Sequence, residues 1–239
     1  VLGAPRFRRL IAAQVAGQAG DGFAQIAFAQ LVLFEAGRGA TPGAIAGLLA
    51  VTLLPFSVVG PAAGVLIDRF DRRRVLVVAS LARVAIVVAG LPMLAAEAAP
   101  PAYVAVLALL SVSRFVLAGK GASLPRTIGV ESLVPANATS AVAGMLAAFG
   151  GAVTGSAFVA RVPAAGFAVA AGLYGAAALL WSRLADLGGR AAAVTVALAL
   201  RAGAGEVIEG ARFVAGTPSV RGPLLAVAAH RFLLGAGFI

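Results

Sequence analysis

The sequence predicts an all-α membrane protein, with six complete membrane-spanning helices, the start of a seventh, and no water-soluble domain. Three observations predict it. Hydrophobic residues make up 61% of the 239 and charged residues 12%, where soluble domains carry about a quarter charged; mean hydropathy is +1.01. The apolar residues gather into runs near the roughly 20 residues that cross a bilayer. The basic residues fall between those runs, alternately many and few, as topogenic charge does.

In order, the runs are Leu10–Phe34, Ala44–Ile67, Val75–Ala96, Ala102–Gly119, Ser140–Val159, Val162–Trp181 and Gly222–Ile239. They must be helices, because in lipid each backbone group is satisfied inside its own segment or in a closed barrel. Barrel strands would show alternating stretches of about ten residues, and none are present. One set of gaps holds Arg6, Arg8, Arg9, Arg69, Arg72, Arg73, Arg74, Lys120, Arg126, Arg183, Arg190, Arg201, Arg212 and Arg221; the other holds only Arg38 and Arg161. Fourteen against two predicts a multi-pass protein of the cell membrane with a cytoplasmic N-terminus. Tyr103 and Trp181, near span ends, are expected at the membrane interface.

Three regions follow. Residues 1–184 form a six-helix bundle, 185–221 a cytoplasmic linker, and 222–239 the start of a seventh span. Within the linker, Glu206, Glu209, Arg212 and Phe213 suggest a short amphipathic surface helix. A chain that opens at Val1 and stops in an apolar run at Ile239 reads as part of a longer one. No cleavable signal peptide is expected, because the first apolar run is too long for one.

A formal charge of +10 does not point to nucleic acid, because the cations are dispersed and make no basic face. The chain has no cysteine, so disulfides and thiolate metal sites are excluded. Gly119-Lys120-Gly121 lacks the remaining residues of a P-loop, and no hydrolase string is present. No enzyme, cofactor or metal site is expected.

At the end of the second run, and running on past it, come Gly64, Leu66, Asp68, Arg69, Arg72, Arg73 and Arg74, in the form G-x-L-x-D-R-x-x-R-R-R. Gly64 permits close helix approach, Asp68 suits a cation or a helix N-terminus, and the arginines suit carboxylates. This string resembles the signature loop of the major facilitator superfamily. The resemblance implies a gating loop of Gly64, Asp68, Arg69, Asp71, Arg72 and Arg73, with Asp71 standing where that family usually keeps glycine.

Gly17 to Gly22 in the first run, Leu124-Pro125 with Leu133 to Ala138, and Glu206 to Arg221 are similar to strings of the drug- and siderophore-exporter branch, including enterobactin exporters. A member of that family is built from two six-helix halves, each of two inverted three-helix repeats, with substrate bound between halves. This chain then supplies the N-terminal half, and its C-terminal half is a required partner, as are the lipid bilayer and a small-molecule substrate.

Asp21 is the most informative single residue, since an acid inside an apolar run is costly and faces a cavity, a partner or a proton path. Gln14, Gln18, Asp21 and Gln25 share a helical stripe, which is expected to line the substrate cavity. Arg83 and Arg114 are likewise candidate partners for buried acids and, with Asp21, candidates for proton or cation coupling. Arg114 stands where the family often keeps a coupling arginine. Gly151 and Gly155, spaced by four, are expected to pack helices closely, and they resemble the antiporter glycine motif with Ser156 in place of proline.

The implied function is proton-coupled export of a small hydrophobic or amphipathic molecule, powered by the proton gradient. A facilitator or importer without proton exchange, and a non-transporting sensor or scaffold, stay open as alternatives.

Overall fold

Every apolar run that falls among the described residues is a helix, and most of these helices outrun the apolar stretch that announced them. The computed structural model describes residues 3–33, 67, 70–185, 187–188, 205, 208–210 and 212–236, and no strand occurs among them. The long helices are α1 (Pro5–Leu33), α2 (Arg72–Ala95), α3 (Ala99–Ser123), α4 (Leu133–Val159), α5 (Pro163–Ser182) and α6 (Pro218–Ala236). They correspond to the first and the third to seventh runs. The second run lies outside the described residues except for Ile67, as do Gly64, Asp68, Arg69 and Glu206.

The extra length comes from polar ends, which hydropathy discounts and capping rewards. Asp71 caps α2, its carboxylate accepting from the Arg74 N–H at 3.0 Å, which satisfies one orphan donor of the first turn. Pro100 lies in the first turn of α3, and Pro163 and Pro218 open α5 and α6, where a missing N–H costs nothing. Between α2 and α3 the chain reverses in a Schellman turn. Ala98 N–H donates to Met93 O at 2.9 Å and Glu97 N–H to Leu94 O at 3.2 Å, with Glu97 at φ 49° in the place glycine usually takes.

Four described helical stretches are long and apolar enough to cross a membrane: Arg72–Ala95, Pro100–Arg126, Leu133–Val159 and Pro163–Ser182. Their outer faces are apolar too. On α4, Met145, Leu146, Phe149 and Val153 are all more than half exposed, an unfavourable face in water and the normal one in lipid. At 29 residues α1 is long enough to span, but its glutamines, Asp21 and N-terminal arginines make it less apolar than those four.

The chain divides into two compact units, Val1–Ala193 and Val194–Ile239. In the first, α1 packs most extensively on α4 and α5, while α2 packs on α5 and α3. One apolar cluster gathers Phe28, Leu31, Leu109 and Phe167, with the Phe28 and Phe167 rings edge to face at 4.9 Å. A second gathers Phe7, Leu10, Leu76, Leu124 and Trp181. Trp181 therefore corrects the interfacial expectation: it is 1% exposed and packs inside the bundle. Beyond α5 the chain folds back, burying Leu184 and Leu187 and offering Gly188 O to the Arg72 N–H at 3.1 Å, so residues expected to begin the linker pack in the first unit. In the second unit, residues 208–210 and 212–216 are helical, and Ile208, Phe213, Leu224 and Leu225 are exposed.

Candidate functional site

Along α1, α2, α3 and α4 a polar layer separates the two apolar clusters. Gln14, Asp21, Ser80, Arg83, Ser113 and Ser140 are its buried members. Burying polar groups between apolar layers is tolerable only when they satisfy one another, and at the centre they do so around one carboxylate oxygen.

Asp21 Oδ1 accepts from Ser113 Oγ of α3 at 2.7 Å, from the Tyr174 hydroxyl of α5 at 2.8 Å and from Arg83 Nη1 of α2 at 3.3 Å. A single side chain of α1 thus ties together three other helices. The pair is internal: the side chains of Arg83 and Asp21 are 1% and 12% exposed. Arg83 is held further by Nη2 donating to Ser80 Oγ at 3.2 Å and by the Tyr174 ring, whose centroid lies 4.5 Å from Cζ, a cation–π distance. Gly17 makes room for the guanidinium, since a Cβ there would stand 3.1 Å from Nη2.

One and two turns toward the N-terminus of α1 lies a neutral network. Gln14 Nε2 donates to Gln18 Oε1 and to Ser140 O, both at 2.7 Å, and Ser140 Oγ donates back to Gln14 Oε1 at 2.7 Å. Lys120 Nζ donates to Ser140 Oγ at 2.7 Å. Gln14, Gln18, Asp21, Arg83, Lys120 and Trp181 all line one narrow cavity of about 10 Å³ for a water-sized occupant, the space of about one water.

The expected stripe is thus divided. Gln14, Gln18 and Asp21 meet at the cavity, but Gln25 is exposed and away from it, because the bundle closes over α1 with apolar residues beyond Asp21. Of the two candidate arginines, Arg83 makes the ion pair. Arg114 is half-buried beside Ser113 and within electrostatic range of Asp21. Gly151 and Gly155 face α1: a Cβ on Gly151 would collide with Ala19 O, and one on Gly155 would stand 3.2 Å from the Phe23 ring.

Of the gating loop, Asp71, Arg72 and Arg73 are described. Asp71 is occupied as the α2 cap. Arg72 Nη1 donates to Ala122 O at 2.8 Å and Leu187 O at 3.5 Å, so it fastens α2 to the end of α3 and to the returning chain. Arg73 is exposed.

Sequence reasoning missed Tyr174, Ser113, Ser80, Ser140 and Lys120 as members of these clusters. Tyr174 had a usable signal, a phenol deep inside an apolar run. Ser80 and Arg83 had another, their spacing of three on one helix face. Among the described residues, no group of His, Cys, Asp or Glu could hold a metal ion.

Over 149 residues the chain is 42% identical to an uncharacterized MFS-type transporter of Mycobacterium bovis, a match that covers 62% of this chain and 34% of that protein. It is equally similar to an uncharacterized MFS-type transporter of Mycobacterium tuberculosis. The matched region spans about a third of the length of these curated relatives. No family model and no solved structure matches the chain. The likeness to MFS-type transporters over this region agrees with the all-α membrane architecture described above.

Proposed function

We propose that this chain is part of a secondary active transporter of the major facilitator type, one that exports a small hydrophobic or amphipathic molecule by alternating access in exchange for protons. It sits in the cell membrane with its N-terminus in the cytoplasm, where its basic loops are favoured. Its missing partner is a second helical half.

The carrying observation is Asp21, a buried carboxylate that accepts from three other helices at once. Intramembrane acids paired in this way mark proton and ion paths. When Asp21 takes a proton, its ion pair with Arg83 is lost and the oxygen becomes a weaker acceptor for Ser113 and Tyr174. The tie among α1, α2, α3 and α5 then loosens. Deprotonation draws the helices together again, so one proton per cycle can bias a two-state bundle. Gln14 and Gln18, on the same cavity, offer neutral hydrogen bonds to cargo.

The test is flux of a fluorescent amphipathic probe into proteoliposomes of the full-length protein under an imposed proton gradient. Asp21→Asn is expected to insert normally and to abolish gradient-driven flux. Wild-type flux in that variant removes Asp21 from coupling. Flux in the wild type without accompanying proton movement favours the facilitator instead.

A further inference from the structure

The cavity beside Asp21 carries more donors and more positive charge than its own residues can satisfy. Arg83 and Lys120 both line it, and Asp21 is the one acid that does. Arg83 pairs with that acid, whose Oδ1 already accepts from Ser113 and Tyr174 as well. Among the described residues Lys120 makes no ion pair; its ammonium donates to Ser140 Oγ, whose own proton goes to Gln14. Two of the residues that line it also carry buried donors, Trp181 Nε1 and Arg83 Nε, with no hydrogen-bond partner among the described residues. Indole and guanidinium nitrogens of this kind can only donate. Both side chains are 1% exposed, so neither can be satisfied by turning to solvent.

We infer that this cavity is an anion subsite, and that its occupant is the carboxylate of the transported molecule. Water could accept from the orphan donors but would leave the half-buried Lys120 ammonium without a counter-charge. A carboxylate balances the charge and brings acceptors for the donors that the lining residues leave unpaired. The space, about 10 Å³ or that of about one water, suits one oxygen of a carboxylate and not a phosphate with its full set of oxygens. Lys120 suits the task as a point charge on a flexible stem, able to follow an oxygen through the opening and closing of the bundle. The cargo would then be amphipathic with one carboxylate, its apolar body held outside this narrow end. That cargo assignment rests on the transport reading; the anion subsite does not.

The experiment is an equilibrium titration of the full-length protein in detergent with sodium acetate or sodium bromide, replacing sodium sulfate, whose four-oxygen anion is too large for the cavity, at constant ionic strength. Trp181 is this chain's one tryptophan, and subtracting the emission of a Trp181→Phe variant isolates its signal. Both anions are expected to give a saturable change. Lys120→Gln should raise the half-saturating concentration at least tenfold, Lys120→Arg should stay within about threefold, and Arg161→Gln, at an exposed site, should change nothing. A strictly linear response in the wild type overturns the site, whatever the variants do, and so does unchanged saturation in a folded Lys120→Gln. Saturation by bromide with acetate inert overturns the carboxylate assignment. Saturable binding by a protein that shows no proton-driven flux supports the subsite while the transport reading fails.

Discussion

Around Ala19–Gly22, α1 offers bare backbone toward α4: a Cβ on Gly22 would strike Ala148 O, and one on Gly151 would strike Ala19 O. Toward α2, α3 and α5 it offers Asp21, a charge held by Arg83, Ser113 and Tyr174. Within lipid there is no hydrophobic force between helices, so they associate through close packing or through polar contacts. Around Asp21 this helix uses packing toward α4 and a charged tie toward the others; only nearer its N-terminus does Gln14 also hydrogen-bond Ser140 of α4. A glycine seam has no titratable group and is the same at every pH. A carboxylate tie can be undone by one proton. A bundle that must move without falling apart needs both kinds of joint, and α1 places them back to back.

The seam breaks most readily by adding atoms. Gly151→Leu is expected to abolish assembly, read as loss of the monodisperse peak on size exclusion in detergent, and Gly151→Ala to cost about 1–3 kcal/mol of stability as overpacking does. The control is the adjacent glycine. A Cβ on Gly150 meets nothing within 4 Å, so Gly150→Ala should leave the melting temperature unchanged or slightly raised. Equal losses at both positions would show that α4 is not seated on α1 through Gly151.

Much of this architecture could be read from the chain, because each part of it that could be read has a local signature. Apolar runs announced the helices, and a spacing of four brought out Gly151 and Gly155. Asp21 stood out as an acid in an apolar run, and Arg83 as a cation in another. What escaped depends on pairing across the chain. Tyr174 lies 153 residues from Asp21 and Ser113 lies 92 away, and no periodicity connects such positions. Gln25 and Trp181 show what a helix alone leaves open. A glutamine on the expected stripe is exposed, and a tryptophan near a span end is buried, because which face closes depends on the neighbours and not on the helix itself.

The charged side of the comparison is tested by removing partners singly and together. Asp21→Asn leaves Arg83 buried without its counter-charge, and a guanidinium does not discharge. Arg83→Gln leaves Asp21, which can take a proton and become neutral. Asp21→Asn is therefore expected to cost the more, about 3 kcal/mol, at the lower end for a broken buried pair because the Tyr174 ring still faces the cation. The double variant Asp21→Asn/Arg83→Gln should regain most of that stability in thermal unfolding. A double variant no more stable than Asp21→Asn alone would mean that the ion pair is not what joins α1 to α2.

The smallest effect is the sharpest comparison of the two sides. Ser113→Ala removes the shortest of the three bonds to Asp21, 2.7 Å, yet hydrogen bonds between membrane helices average about 0.6 kcal/mol and reach about 1.7, because the separated helices find other partners. A carboxylate acceptor places this bond toward the upper figure. Ser113→Ala should still cost less than Gly151→Ala, so that deleting a hydroxyl from the carboxylate matters less than adding one methyl to the seam. That order follows from what each joint is for: overlapping backbone atoms cannot be relaxed by choosing another partner, whereas a carboxylate with several donors can lose one and keep its place. Thermal unfolding of the two variants side by side decides it, and the reverse order would make Ser113 the principal tie between α1 and α3.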